Sequence, residues 1–173
     1  MSVFRSVLAA IVIAGSLGAA EAATSSLSID ANNAFLAANA KKRGVVVMPD
    51  GLQYQIVHNG FGTRPKPTDL VTVYYTGSLI NGTTFDGTEP GLPAQFKVTD
   101  LITGWTEALL LMREGDQWHL VIPPNLAYGA RGAGQGAIPP NQTLVFDLTL
   151  VKVTTPKEEP KKPDDSSPGN GAE

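Results

Sequence analysis

The chain has 173 residues and 42% hydrophobic content, enough for one ordinary domain with extensions. Its formal net charge of −3 offers no electrostatic footprint for nucleic acid or for an anionic membrane surface. Cysteine is absent and the histidines are two, His58 and His119, which excludes a disulfide, a thiol nucleophile and a lipidated cysteine, and leaves only carboxylates and isolated imidazoles for a metal site.

The opening stretch MSVFRSVLAAIVIAGSLGAAEAA places Arg5 ahead of an apolar run from Val7 to about Leu17, then Ala20 and Ala22 in an A-x-A arrangement. Residues 1–22 therefore read as a cleaved secretory signal. The apolar run is short for a bilayer and a polar segment follows it, so a periplasmic or secreted protein is expected, with no membrane contact after cleavage. Residues 23–50 are expected to form a short helical extension. Within SLSIDANNAFLAANAKKRGV, Asp30 is the expected N-cap, Lys41, Lys42 and Arg43 suit the negative end of the dipole, and Gly44 suits the position past the last turn. The apolar stripe of Ala31, Phe35 and Ala38 is thin, so this helix needs another surface to pack on.

Strands dominate the next hundred residues. GLQYQIV (51–57), LVTVYYTGSL (70–79), AQFKV (94–98), QWHLVIPP (117–124) and TLVFDLTLVKV (143–153) are β-branched or aromatic and bounded by Gly, Pro, Asn or Asp. An Asn-Gly turn at 81–82 follows the second of them. Only GWTEALLLM breaks the pattern, with Trp105, Ala108, Leu109 and Met112 at i, i+3, i+4 and i+7 on one face of a short helix. The expected architecture is α+β: an antiparallel, twisted half-barrel sheet of five to six strands wrapped around one short helix. His119 alternates with Trp118 and Leu120 and is expected to face solvent. From Pro156 the chain is charged, proline-rich and without large apolar residues, and residues 156–173 read as a disordered tail.

The glycines at 129, 132, 134 and 136 do not form a phosphate cradle: they miss the G-x-G-x-x-G spacing, no Lys-Ser/Thr follows, and a strand rather than a helix comes next. No G-x-S-x-G, H-E-x-x-H or Cys–His arrangement is present either. What recurs instead is a set of aromatic and apolar residues at strand ends and loop edges, with Asp86 and the hydroxyls of Tyr75 and Tyr128 among them. Polar atoms in such surroundings need a partner, either another side chain or a ligand carbonyl.

Four motifs, VTVYYTGSLINGTTFD, LITGWTEALLLMREGDQW, LVIPPNLAYG and AIPPNQTLVFDLTLV, resemble the FKBP-type peptidyl-prolyl cis-trans isomerases in order and spacing, over about Gly51 to Val153. The preceding NAKKRGVVVMPDGLQYQIVHNGFG is similar to the corresponding segment of bacterial envelope members related to the macrophage infectivity potentiator. Members of that group usually carry a long helical dimerisation domain, whereas only residues 24–44 are available here, and from this departure a monomer is expected rather than a dimer. The resemblance implies an isomerase domain over 51–155, acting on proline-containing polypeptides without a metal or organic cofactor, and binding macrolides such as rapamycin.

Carried over residue by residue, the resemblance implies that Tyr75, Phe85, Asp86, Tyr128 and Phe146 are catalytic, and that Phe96, Leu101, Ile102, Trp105 and Ile138 bind substrate. Trp105 would be the floor of a proline pocket, and Tyr75, Phe96 and Phe146 its walls. The N–H of Ile102 and the hydroxyl of Tyr128 would hold substrate carbonyls, and Asp86 would sit at the edge with Tyr75 as partner. The loop before Ile138 is one residue longer than in eukaryotic members, near Ala133 to Gln135, which bears on substrate choice. A non-catalytic proline-peptide, chaperone or adhesion module using the same pocket is the alternative.

Overall fold

The computed structural model describes residues 26–156; the signal peptide expected over 1–22 and the tail from 157 onward lie outside them. Helix α1 spans Ile29–Asn39, followed by strands β1 (Val45–Val47), β2 (Gln53–His58), β3 (Leu70–Leu79), β4 (Thr84–Gly87) and β5 (Ala94–Lys97). Helix α2 (Thr103–Leu111) leads into β6 (Gln117–Ile122), and β7 (Leu144–Thr154) closes the sheet. All pairings are antiparallel, in the order β1-β2-β6-β7-β3-β4, with β5 also on β3. The sheet has seven strands rather than five or six, because the three-residue β1 and the four-residue β4 are too short to show a period of their own.

β3 organises the molecule. One edge pairs with β7 from Leu70 to Leu79; the other is shared, β5 taking Leu70–Val73 and β4 taking Thr76–Ser78. Between those partners stands Tyr75, whose N–H donates to Thr88 Oγ1 at 3.1 Å. The parting of β4 from β5 opens one end of the sheet over the start of α2. The face of α2 expected to be apolar is the buried one: Trp105, Ala108, Leu109 and Met112 pack with Val71, Val73, Leu120, Ile122 and Leu148. Gly104 lets the helix settle on the sheet, since a Cβ there would stand 2.5 Å from Ile122 Cγ2.

α1 packs by a different means from the expected apolar stripe. Ser28, not Asp30, is the N-cap: its hydroxyl accepts from Ala31 N–H at 3.1 Å. The helix ends at Asn39, so Lys41, Lys42 and Arg43 fall beyond its last turn. Ala38 is exposed, and the buried residues are Asn32 and Asn39, two turns apart. Asn32 Oδ1 accepts from the buried Thr143 N–H at 2.7 Å and its Nδ2 donates to Gln142 Oε1 at 3.2 Å; Asn39 Nδ2 donates to Gln53 Oε1 at 2.9 Å. Hydrogen bonds rather than apolar area fasten the helix. Asn32→Ala is expected to cost about 1–3 kcal/mol by stranding the Thr143 N–H. Hydrogen exchange should then accelerate at Thr143 and along α1; protection equal to the parent's would refute the assignment.

A carboxyl pair joins the turn before β2 to α2. Hydrogen bonding to Asp50 pushes the Glu107 carboxyl up to about 7 from 4.5, and the same bond holds Asp50 below its ordinary value. Between those two pH values the folded chain keeps a proton that the unfolded chain has released, so the Glu107 contribution falls as pH rises from 4.5 to about 7. The Asp50 contribution has the opposite sense and is lost as pH falls through its lowered pKa. Glu107→Gln keeps a donor and removes the charge. It should match the parent near pH 5 and exceed it at pH 8, by less than about 1 kcal/mol because the pair is solvent-screened. A constant difference between variant and parent from pH 5 to 8 would argue against the shared proton.

Candidate active site

The site is assembled on the open end of the sheet. β3 contributes Tyr75, β4 Phe85 and Asp86, β5 Phe96, and β7 Phe146; Leu101 and Ile102 come from the approach to α2, Trp105 from its first turn, and Tyr128 from the loop after β6. These residues, with Asp100, line a cavity of about 350 Å³. That lies at the lower end of the ~300–1,000 Å³ typical of small-ligand pockets.

Trp105, 4% exposed, forms the base. Tyr75, Phe96 and Phe146 stand edge-on to its indole, with centroids at 5.1, 6.1 and 5.2 Å and interplanar angles of 89°, 90° and 83°. Phe85 stands edge-on to Phe146 at 5.6 Å. Such edge-to-face contacts add to the burial term and fix the rings without filling the space between them.

Polar groups are few and held in place. The Tyr75 hydroxyl donates to Asp86 Oδ2 at 2.7 Å and the Gly87 N–H donates to Asp86 Oδ1 at 2.8 Å. Burial pushes the Tyr75 phenol well above its ordinary range and the Asp86 carboxylate pushes it further, so Tyr75 remains a donor at any physiological pH. Ile102 is the N-cap of α2, with extended backbone at φ −60° and ψ 150°. Its N–H and the hydroxyl of Tyr128, a residue 41% exposed, have no hydrogen-bond acceptor among the described residues. They are free to meet an outside carbonyl.

Ile138 is the one expected site residue that does not line the cavity. Ala133 and Ile138 exchange backbone hydrogen bonds at 2.9 and 3.1 Å, and that closure turns the Ile138 side chain into the core. The glycine-rich loop is thus a set of tight turns pinched at its base. Gly132, at φ 64°, lies so near the Ile138 carbonyl that a Cβ would stand 2.3 Å from its oxygen.

Sequence reasoning missed two contributors. Asp100, at the end of a 3₁₀ turn, adds a carboxylate at the rim, and only its adjacency to Leu101 pointed to it. Gly77 lies beneath Phe85 and Phe146, where a Cβ would approach their rings to 2.8 and 2.6 Å. His119 is partly exposed rather than simply solvent-facing: its Nδ1 meets Asp147 Oδ1 at 2.8 Å, through the β6–β7 register. That pair lies on the face of β7 opposite Phe146, away from the cavity.

Residues 62–151 match the family model described as FKBP-type peptidyl-prolyl cis-trans isomerase. The chain belongs to that family. Residues 5–56 match a second model, the domain amino-terminal to FKBP-type peptidyl-prolyl isomerase. Among curated FKBP relatives, the outer membrane protein MIP of Legionella longbeachae is 53% identical over 122 residues, which are 70% of this chain and 52% of that protein. The FKBP-type 22 kDa peptidyl-prolyl cis-trans isomerase of Escherichia coli is 50% identical over 120 residues, 69% of this chain and 58% of that one. The chain therefore spans a little over half the length of these relatives. A crystal structure of a peptidyl-prolyl cis-trans isomerase from Pseudomonas syringae pv. tomato superposes with a TM-score of 0.68 at 38% identity, covering 73% of this chain and 92% of that one. The antiparallel sheet around one short helix is the FKBP fold of that neighbour.

Proposed function

We propose that this chain is an active peptidyl-prolyl cis-trans isomerase that accelerates X–Pro isomerisation in exported polypeptides and so assists their folding. The observation that carries the reading is the Trp105-floored cavity, ringed by edge-on aromatics and bordered by the Tyr75–Asp86 pair. On this reading residues 51–155 are the isomerase domain and residues 1–22 direct export. A signal-like N-terminus and a relative named as an outer membrane protein support export to the envelope.

Amide resonance sets a barrier of about 18–20 kcal/mol to rotation about the imide bond. Resonance is lost when the bond twists, so no nucleophile is needed. A dry aromatic pocket favours the twisted imide, whose less polarised carbonyl gives up less on leaving water. The free Ile102 N–H and Tyr128 hydroxyl hold the flanking carbonyls while the proline ring rests on Trp105. An acceleration of ~10⁴-fold requires only about 5.5 kcal/mol of differential stabilisation, within reach of shape, desolvation and a few hydrogen bonds.

The test is a protease-coupled assay on Leu-Pro and Phe-Pro tetrapeptides with and without rapamycin. Catalysed, rapamycin-sensitive turnover is expected. A rate no greater than buffer, with proline peptides still bound, would leave a non-catalytic binding module in its place.

A further inference from the structure

A second groove, of about 430 Å³, opens at the C-terminal end of α2, where Leu111 lines it, at the other end of the helix from Trp105. Ile56, Phe61, Leu111 and Trp118 supply its apolar surface, and Arg64 and Arg113 are its cations. Phe61 is 92% exposed, yet the loop presenting it is fixed. Gly60 N–H donates to Asp116 Oδ1, Gly62 N–H to Glu114 O at 3.1 Å and Thr63 N–H to Glu114 Oε2 at 3.1 Å, while Glu114 N–H returns to Thr63 O at 3.0 Å. The two glycines press so closely on the 114–116 turn that a Cβ on Gly60 would stand 2.2 Å from Glu114 O, and one on Gly62 2.6 Å from Glu114 Cβ. A phenyl ring held rigidly in water serves nothing inside the fold.

Trp118 gives the second sign. It is 3% exposed and stacks on Tyr54 at 4.4 Å, but its indole N–H has no acceptor among the described residues. Buried N–H groups in folded proteins are normally paired, and this one belongs to a side chain that borders the groove. The remaining polarity leans towards donors. Asp116 accepts from the backbone N–H groups of Gly60 and Arg113, and the Arg113 guanidinium donates to Gly62 O at 3.3 Å, so donors on the Trp118 indole, Arg64 and Arg113 outnumber the acceptor of the Asn59 amide. An occupant with carboxylates or carbonyls beside compact apolar groups fits this lining.

Residues 157–173 supply carboxylates and prolines for such a lining. Pro160, Pro163 and Pro168 carry no N–H, and five acidic residues outnumber three lysines. Pro160 and Pro163 stand in P-x-x-P spacing, the pattern that docks on aromatic grooves as an extended, outward-facing row of carbonyls. The strand that leads into the segment ends near the groove. Glu114 Oε1 accepts from Val153 N–H at 2.6 Å near the end of β7, while its Oε2 holds Thr63, two residues from Phe61. A segment tethered so near acts at an effective concentration of about millimolar, so weak contacts suffice.

We propose that this groove seats the acidic, proline-rich C-terminal segment of the same chain, with the Trp118 indole N–H and the two arginines holding its carbonyls and carboxylates and Phe61 covering a proline. The absence of native cysteine allows a clean test: Ser166→Cys in the chain that retains residues 157–173, carrying a nitroxide, with both indole N–H signals followed by NMR. The Trp118 signal should lose most of its intensity and the Trp105 signal should keep it; Phe61→Ala should restore Trp118. Loss at Trp105 instead would place the tail in the aromatic cavity, and loss at neither would mean that the tail does not dock; either overturns the proposal. So would broadening that appears when nitroxide-bearing unlabelled protein is mixed with unmodified labelled protein, which would assign the groove to a second copy.

Discussion

Trp105→Ala is expected to lower kcat/KM on an X–Pro peptide by about ten- to hundredfold while leaving a folded but less stable protein. The indole is the surface against which a proline ring rests in the proposed complex, and full burial of such a group is worth about 1.5–3 kcal/mol, which converts to that range. Three aromatic rings stand edge-on to it, so truncation also frees Tyr75, Phe96 and Phe146 to tilt into the vacated space. Large-to-small changes at core tryptophans cost about 3–5 kcal/mol. The lower end is expected here, because one side of Trp105 already faces a cavity and its indole N–H makes no hydrogen bond among the described residues that the change would break. Trp118 is then the sole remaining tryptophan, so its indole signal reports separately whether the fold survives. A folded variant that retained turnover within twofold of the parent would remove Trp105 from the site.

The legible and illegible parts of this molecule divide by the distance over which their causes act. β-branched alternation located β3 and β7 to within a residue, and the spacing of Trp105, Ala108, Leu109 and Met112 identified the buried face of α2, because each pattern is set by neighbours along the chain. The four motifs pointed to eight residues that surround one cavity, and the family resemblance they carry added Phe96. What could not be read depends on partners far away in sequence. Asn32 is buried because Thr143 and Gln142 need it, 111 and 110 residues on, and an asparagine inside a helix gives no local sign of that. Asp147 comes to His119 only through strand register. Ile138 was placed at the pocket by motif, but the pinch between Ala133 and Ile138 is a property of the closed loop. The parting of β4 from β5 along β3, which opens the cavity, is likewise a fact of pairing, and neither short strand shows it alone.

Gly77→Ala should do nearly as much damage to catalysis with one methyl group. Gly77 is not at a positive φ, so the backbone accepts alanine; the obstacle is space. In the register it lies opposite Phe146 on β7 and Asp86 on β4, beside the bulge between Gly77 and Ser78. An added Cβ would stand 2.6 Å from Phe146 Cε1 and 2.8 Å from Phe85 Cε2 and Cζ, closer than carbon atoms pack, so both rings must move. Overpacking of this kind costs about 1–3 kcal/mol. The catalytic consequence is larger, since displacements near 1 Å in a positioned site can cost up to about a hundredfold in rate. Phe146 carries an edge of the Trp105 floor, and Asp86, next to Phe85, holds the Tyr75 hydroxyl, so movement of the two rings disturbs both sides of the cavity. The expected result is a fall in kcat/KM of at least about tenfold with a modest drop in Tm. Adding Phe85→Leu should recover part of the stability by making room, a non-additivity that only residues in contact produce. Strict additivity of the two changes, or full activity in Gly77→Ala alone, would show that the rings do not depend on the bare backbone beneath them.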